Sequence, residues 1–182
     1  MLFETKQITL KNEKTAIFRS PELTDAAEMV DYLKTTAGES PFLMNYPEEI
    51  AATEEKEIEY LRANREDPGM NMIVCEIDGK IAGTCHLSCK TKLKNRHRGR
   101  IGIALLEPYW GMGIGTAMFR EIIALGRQKG LEQLELEVFE GNQRAIALYE
   151  KMGFRIAASV PNAIHLTDGT RWAEHIMVME LQ

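Results

Sequence analysis

The spacing of apolar positions switches repeatedly between two and three-or-four along the chain, and each switch marks an element. Thr15–Arg19 predicts a short first strand. From Leu23 to about Thr36, the residues Leu23, Ala26, Ala27, Val30 and Leu33 fall at helical spacing, with Thr24 or Asp25 as the start cap. Gly38, Pro41 and Pro47 make residues 37–47 a loop. Glu48–Asp67 sets Ile50, Ile58 and Leu61 among many charges, the pattern of a mostly exposed helix, and Pro68-Gly69 ends it. Asn71–Ile77 and Lys80–Cys89 predict strands joined at Asp78-Gly79, a hairpin signal. In the second of these, alternation puts Ile81, Gly83, Cys85, Leu87 and Cys89 on one face.

Beyond a basic connection over Lys90–Arg98, Arg100–Leu106 predicts a strand. A helix runs from Gly111–Gly115 to about Lys129, with Gly130 as its stop. Leu131–Phe139 predicts a strand, Asn142–Met152 a helix stopped at Gly153, and Phe154–Val160 and Arg171–Leu181 two closing strands. The order βααβββαβαββ implies an α/β fold, a mixed sheet of about seven strands with helices on its faces.

Composition narrows the setting. A chain of 182 residues suits one domain over 1–182 with a buried core. No apolar run approaches the ~20 residues that span a bilayer. Met1–Leu10 carries Glu4, Lys6 and Gln7 and lacks the apolar stretch of a signal peptide. Three cysteines (Cys75, Cys85, Cys89) are simplest as reduced thiols, so a cytoplasmic protein without a membrane partner is expected. A net charge of −5 argues against a nucleic-acid partner.

Two constellations carry chemistry. In the first, the strand Ile101–Leu106 leads through Glu107-Pro108-Tyr109-Trp110 into Gly111-Met112-Gly113-Ile114-Gly115-Thr116 and a helix. The first N–H groups of a helix lack internal acceptors, and glycines let a ligand approach the backbone, so the turn suits a pyrophosphate. A dinucleotide fingerprint would need glycine where Thr116 stands, and too little chain follows for two mononucleotide-binding halves.

In the second, Leu134-Glu135-Leu136-Glu137-Val138 precedes Asn142-Gln143-Arg144-Ala145-Ile146-Ala147-Leu148-Tyr149-Glu150-Lys151-Met152-Gly153-Phe154. Here the chain closely resembles the GNAT superfamily of N-acetyltransferases, whose pattern is an asparagine followed by Ala-Ile-x-Leu-Tyr-x-Lys-x-Gly-Phe. The likeness extends over roughly Thr15 to Leu181. Asp168–Met177 looks like the closing strands of the branch that acetylates ribosomal proteins and N-terminal amines. One position departs: the family usually opens its glycine turn with Arg or Gln, and Trp110 stands there.

The resemblance implies a partly splayed GNAT sheet with about four helices, its fourth and fifth strands diverging to admit acetyl-CoA as cosubstrate, without a metal. It implies acetyl transfer to a primary amine of a small molecule or peptide. A CoA-binding sensor without turnover is the alternative, and a homodimer is among the family's assemblies. The cofactor residues it implies are Leu105, Leu106, Trp110, Gly111, Met112, Gly113, Ile114, Gly115, Thr116 and Asn142. Asn142 doubles as a helix cap. An alkyl ammonium (reference pKa ~10.4 for lysine) has to lose a proton before attacking a thioester. Glu137 is the expected base, with Glu135 on the same strand face as its substitute. Tyr149 is the expected acid that protonates the leaving thiolate.

Three other features bear on function. Cys85 and Cys89, near His86 and His97, lack the combination of C-x2–4-C spacing with a second ligand pair that marks a structural zinc site, and read as core, with His86 pointing the other way. Lys90, Lys92, Lys94, Arg96, Arg98 and Arg100 alternate strictly, as on a solvated edge that resists strand pairing; the alternative is a landing strip for an acidic substrate or the cofactor's 3′-phosphate. Phe42, Leu43, Met44 and Tyr46 make the 39–47 loop apolar, either as core or as a wall of the acceptor site. The acceptor's identity is not written in these patterns.

Overall fold

The computed structural model of the protein describes residues 2–11 and 13–181; Met1, Asn12 and Gln182 of the expected 1–182 domain lie outside the described residues. In chain order the elements are β1 (Lys6–Thr9), β2 (Thr15–Arg19), α1 (Ala26–Glu39), α2 (Glu54–Glu66), β3 (Met70–Ile77), β4 (Lys80–Cys89) and β5 (Arg98–Leu105). They continue with α3 (Ile114–Gln128), β6 (Gln133–Phe139), α4 (Gln143–Lys151), β7 (Arg155–His165) and β8 (Arg171–Glu180). The eight strands form one sheet in the order β1-β2-β3-β4-β5-β6-β8-β7.

Every adjacent pair is antiparallel except β5–β6, which is parallel because α3 carries the chain across. That pair is short. It holds only Arg98↔Gln133, Gly99↔Leu134 and Arg100↔Glu135. The next pair, β6–β8, runs from Gln133↔Glu180 to Phe139↔Glu174. The sheet therefore splays open beyond Arg100, between the two strands expected to diverge.

Both faces of the central strands are covered, which is why β3 is nearly all apolar. Ile73, Cys75 and Ile77 join a cluster with Phe18, Met118, Phe119, Ile122, Leu134 and Met177 under α3. Met72 and Val74 face Met29, Tyr32 and Leu61 of α1 and α2. The Asp78-Gly79 hairpin has φ of 52° and 74°, the two positive angles of a type I′ turn.

Four differences from the sequence pattern have local causes. An eighth strand, β1, pairs with β2 at the sheet edge; its residues Lys-Gln-Ile-Thr hold one apolar side chain and carry no alternation to detect. In β4, Ile81 does not share the face of Cys85. The β3–β4 register shifts at Cys75/Glu76, and the bulge turns Ile81 toward α1 while Ala82 joins the α3 side. The second helix begins at Glu54 rather than Glu48: Pro47–Glu49 is a single 3-10 turn, and Thr53 caps α2 by accepting from Lys56 N–H at 3.4 Å. Neither Thr24 nor Asp25 caps α1 through its side chain; Asp25 accepts instead from Glu22 N–H and pairs twice with Arg19, at 2.7 and 3.0 Å.

Leu134 is fully buried where β6, α3 and Gly99 converge. Leu134→Ala is expected to lower unfolding free energy by about 2–5 kcal/mol through lost burial and an incompletely collapsed cavity. Urea denaturation of the variant against the parent measures it.

Candidate active site

The splay of β5 and β6 opens into a cleft of about 910 Å³. Its floor is the β5 stretch Ile101–Leu105 and the β6 stretch Leu136–Phe139; one end is closed by α3 and α4, the other by α1 and the chain between α1 and α2. Past Arg100 the parallel ladder stops. Leu106 N–H is donated to Ala82 O at 3.0 Å, so alternation points the N–H groups of Ile103 and Leu105 away from β4, toward the opening.

Gly111 and Gly113 have φ of 81° and 90°, a left-handed conformation that side chains resist. Gly113 is the N-cap of α3 and supplies no side-chain cap. The N–H groups of Ile114, Gly115 and Thr116 therefore face the cleft without helical acceptors, with the positive end of the helix dipole behind them. Trp110 braces this turn. Its Nε1–H donates to Leu105 O at 2.7 Å, and the Arg144 guanidinium lies 4.7 Å from the ring centroid. The turn is thus pinned to the end of β5 and to the first turn of α4. Asn142 caps α4, its side chain accepting from Ala145 N–H at 3.1 Å.

Tyr149 lines the cleft from α4. Its ring packs on Phe119, with centroids 5.1 Å apart. Among the described residues its hydroxyl has no protein hydrogen bond. Burial, with a smaller contribution from Cys85, pushes its pKa above the ordinary tyrosine value, so the proton stays on at neutral pH.

Glu135 and Glu137 share a face of β6, as alternation requires, but differ in surroundings. Glu135 is buried and pairs with Lys90 at 2.8 Å and with Arg98. Burial raises its pKa, yet the two cations outweigh burial and hold it below the usual carboxylate range. It does not reach the cleft. Glu137 does, and it pairs with Arg100. Lys90, Arg98 and Arg100 are thus not a free solvated edge: they form ion pairs that clamp the β5–β6 seam where its ladder ends.

The residues matched by the Acetyltransferase (GNAT) family model are 34–154, about two thirds of the chain. The chain belongs to the GNAT family. Among its relatives, an L-amino acid N-acetyltransferase of Escherichia coli is 30% identical over 90 residues, 49% of this chain and 56% of that enzyme. The chain thus spans about half the length of that curated relative. An N-alpha-acetyltransferase of Sulfurisphaera tokodaii is 28% identical over 156 residues, covering 80% of this chain and 83% of the relative. A solved GNAT-family acetyltransferase from Streptococcus pneumoniae superposes with a TM-score of 0.86 at 27% identity, covering 91% of this chain and 99% of that one.

Of the residues that the GNAT resemblance implied, Leu105, Trp110, Gly111, Gly113, Ile114, Gly115, Thr116, Asn142, Glu137 and Tyr149 line the cleft. Leu106 and Met112 do not: Leu106 gives its N–H to β4, and Met112 packs on the core with its carbonyl 3.4 Å from Lys11 N. The 39–47 loop contributes Phe42, Leu43 and Met44 to the wall. It is tied down by Phe42 against Trp172 (centroids 5.3 Å apart) and by Tyr46 Oη, which accepts from Thr167 N–H at 3.1 Å. A Cβ at Gly141 would sit 2.4 Å from the Trp172 ring, so glycine there leaves room for the indole on which Phe42 packs.

Sequence patterns missed His86 and Glu57. His86 faces the cleft from β4, its ring filling the space that a side chain at Gly102 would need. Burial, then the charge of Arg100, lowers its pKa and keeps it neutral. Its only sequence signal was pointing away from the cysteines. Among the described residues, no group of three or more His, Cys, Asp or Glu side chains is arranged to hold a metal, and no helix is long and apolar enough to cross a membrane. Cys85 is buried in the core, and burial raises its thiol pKa.

Trp110→Phe keeps the ring but strands the Leu105 carbonyl. It is expected to cost about 1–2 kcal/mol of stability, and Trp110→Leu more, since the Arg144 contact also goes. Thermal melts of the two variants rank them.

Proposed function

We propose that this chain is a single cytoplasmic domain that transfers an acetyl group from acetyl-CoA directly to a primary amine of a small molecule or peptide. The observation that carries the proposal is the pairing, across one cleft, of three open N–H donors at the start of α3 with the unpartnered, protonated hydroxyl of Tyr149. The donors suit the pyrophosphate of CoA. The outward N–H groups of Ile103 and Leu105 suit the carbonyls of an extended pantetheine arm, as a strand partner would. The free thiols of Cys75, Cys85 and Cys89 accord with a reducing compartment.

Acetyl-CoA supplies an activated acetyl thioester. The remaining work falls to the chain. Glu137 accepts the proton that the acceptor nitrogen loses as its bond to the acetyl carbon forms. Tyr149 donates a proton to the sulfur as the carbon–sulfur bond breaks. Strand N–H groups at the splay polarise the carbonyl. Since the amine attacks directly, no acyl-enzyme forms. A second reading of the base is favoured by His86, a neutral imidazole facing the same cleft.

Tyr149→Phe is expected to lower kcat by about 10²–10⁴-fold with an unchanged melting temperature; an unchanged kcat removes Tyr149 from the mechanism. Its raised pKa sets a sign. An acid is active while protonated, so the wild-type rate should show no alkaline fall below pH ~10. Glu137→Gln and His86→Gln separate the bases: the true one abolishes the acidic limb of kcat/KM, and the other leaves it in place. CoA release, with acetylated product identified by mass spectrometry, is the assay. Tight CoA binding without turnover of any amine in a broad panel would replace the enzyme with a sensor.

A further inference from the structure

At the α1–α2 end of the cleft, Met29, Leu33, Ile50 and Met72 make an apolar wall in which the hydroxyls of Tyr32 and Thr36 are already bonded, to Ala104 O and Tyr32 O at 2.8 Å each. One polar group there is not. Glu57, on the first turn of α2, reaches the same cleft while only 6% exposed, and its Oε1 is buried without a hydrogen-bond partner. Among the described residues no cation pairs with it. Its neighbour Lys56 turns the other way and donates to Ala51 O at 3.2 Å. Burial raises the Glu57 carboxyl above the ordinary carboxylate range, as expected for an anion without a partner. Native folds rarely leave a buried carboxyl unsatisfied, and such a group in a cleft marks a place where a ligand completes the pairing.

A second observation points to the sign of that ligand. Between Glu39 and Glu59 the chain holds seven glutamates and one lysine. This segment forms the wall and roof of the apolar end, and its field concentrates cations there. The acceptor nitrogen itself cannot be the cation that Glu57 meets. That nitrogen reacts beside Tyr149 and Glu137, at β6, whereas α2 packs on β3 through Leu61 and Met72. Strands β5 and β4 lie between, at about 4.8 Å per strand.

We propose that the acceptor is a diamine-type molecule: a primary amine on an apolar spacer of several carbons, whose far end carries a second cationic nitrogen received by Glu57. The proposal rests on the acetyl-transfer reading for the reacting end, and it assigns the selectivity of the site to the other end. Met29, Leu33 and Met72 take up the spacer. Glu57 rejects the otherwise identical monoamine because its carboxyl then stays unpaired, the asymmetry by which a buried polar group discriminates strongly against a ligand lacking its partner.

The test compares hexamethylenediamine with n-hexylamine. Wild type should favour the diamine by about tenfold or more in kcat/KM, the scale of one charged hydrogen bond. Glu57→Gln should bring the two amines within about twofold, while Glu59→Gln, on the exposed side of the same helix, should leave the ratio unchanged. Melting curves confirm folding, and Glu57→Leu replaces the glutamine variant if that one is unfolded. No preference in wild type, a preference that survives loss of Glu57, or an equal loss in Glu59→Gln overturns the proposal. Calorimetric binding of the diamine to CoA-saturated protein keeps the two readings apart. If no amine is acetylated but the diamine binds wild type and not Glu57→Gln, the diamine site stands and acetyl transfer falls; absence of binding and of turnover overturns both.

Discussion

A parallel strand pair that stops after three residues leaves backbone N–H and C=O groups facing a gap, and a fold can keep such a gap only where those groups have partners and the strands are held apart. In this protein the gap lies between β5 and β6, and the site follows from how it is maintained. At its closed end, Glu135 draws Lys90 and Arg98 across the seam, and Glu137 draws Arg100. Beyond that point α3 sits over the core, its buried face running through Ile114, Met118 and Ile122. Gly115 lets α4 approach: a Cβ there would come within 3.0 Å of Leu148. Trp110 then fixes the turn that aims the start of α3 at the opening. The open helix start, the outward strand donors and Tyr149 share one cleft because the ladder is interrupted.

The parts of this arrangement legible in the sequence are those set by local rules. Gly111, Gly113 and Asn142 declare themselves because a left-handed turn and a helix cap each demand particular residues wherever they occur. The α/β order and the diverging strands followed from spacing and from the resemblance carried by residues 142–154. What stayed hidden depends on partners distant in sequence. Ile81 changes face because of a bulge that exists only in the pairing of β3 with β4. Glu135 and Glu137 are equivalent by alternation, yet only tertiary structure decides that Lys90 and Arg98 converge on the first. The alternating basic run resembled an edge strand because its acidic partners lie more than thirty residues away. Trp110, a departure from the family's usual residue, is explained by a bond to Leu105 and a contact with Arg144 that no motif encodes.

His86 and Glu57 teach the same lesson from the other side. Each is ordinary in sequence, one a histidine in an apolar strand and the other one glutamate among many on a charged helix. Their significance comes from desolvation, which a sequence does not display residue by residue. The cleft removes water from both, keeping the imidazole neutral and the carboxyl without a partner.

The contacts between the roof and the far end of the chain have a consequence for how such a site diversifies. Phe42 rests on Trp172, and Tyr46 receives the N–H of Thr167, so the segment between α1 and α2 is anchored to the β7–β8 hairpin rather than to α3 or α4. The same indole lies against Gly141, one residue before the Asn142 cap of α4, and β8 pairs along the whole of β6. The Phe42–Met44 wall and the strand that carries Glu137 are therefore coupled through one hairpin. Such a cleft diversifies most freely at the hairpin's far tip, whereas a change at Trp172 is felt on both of its sides at once.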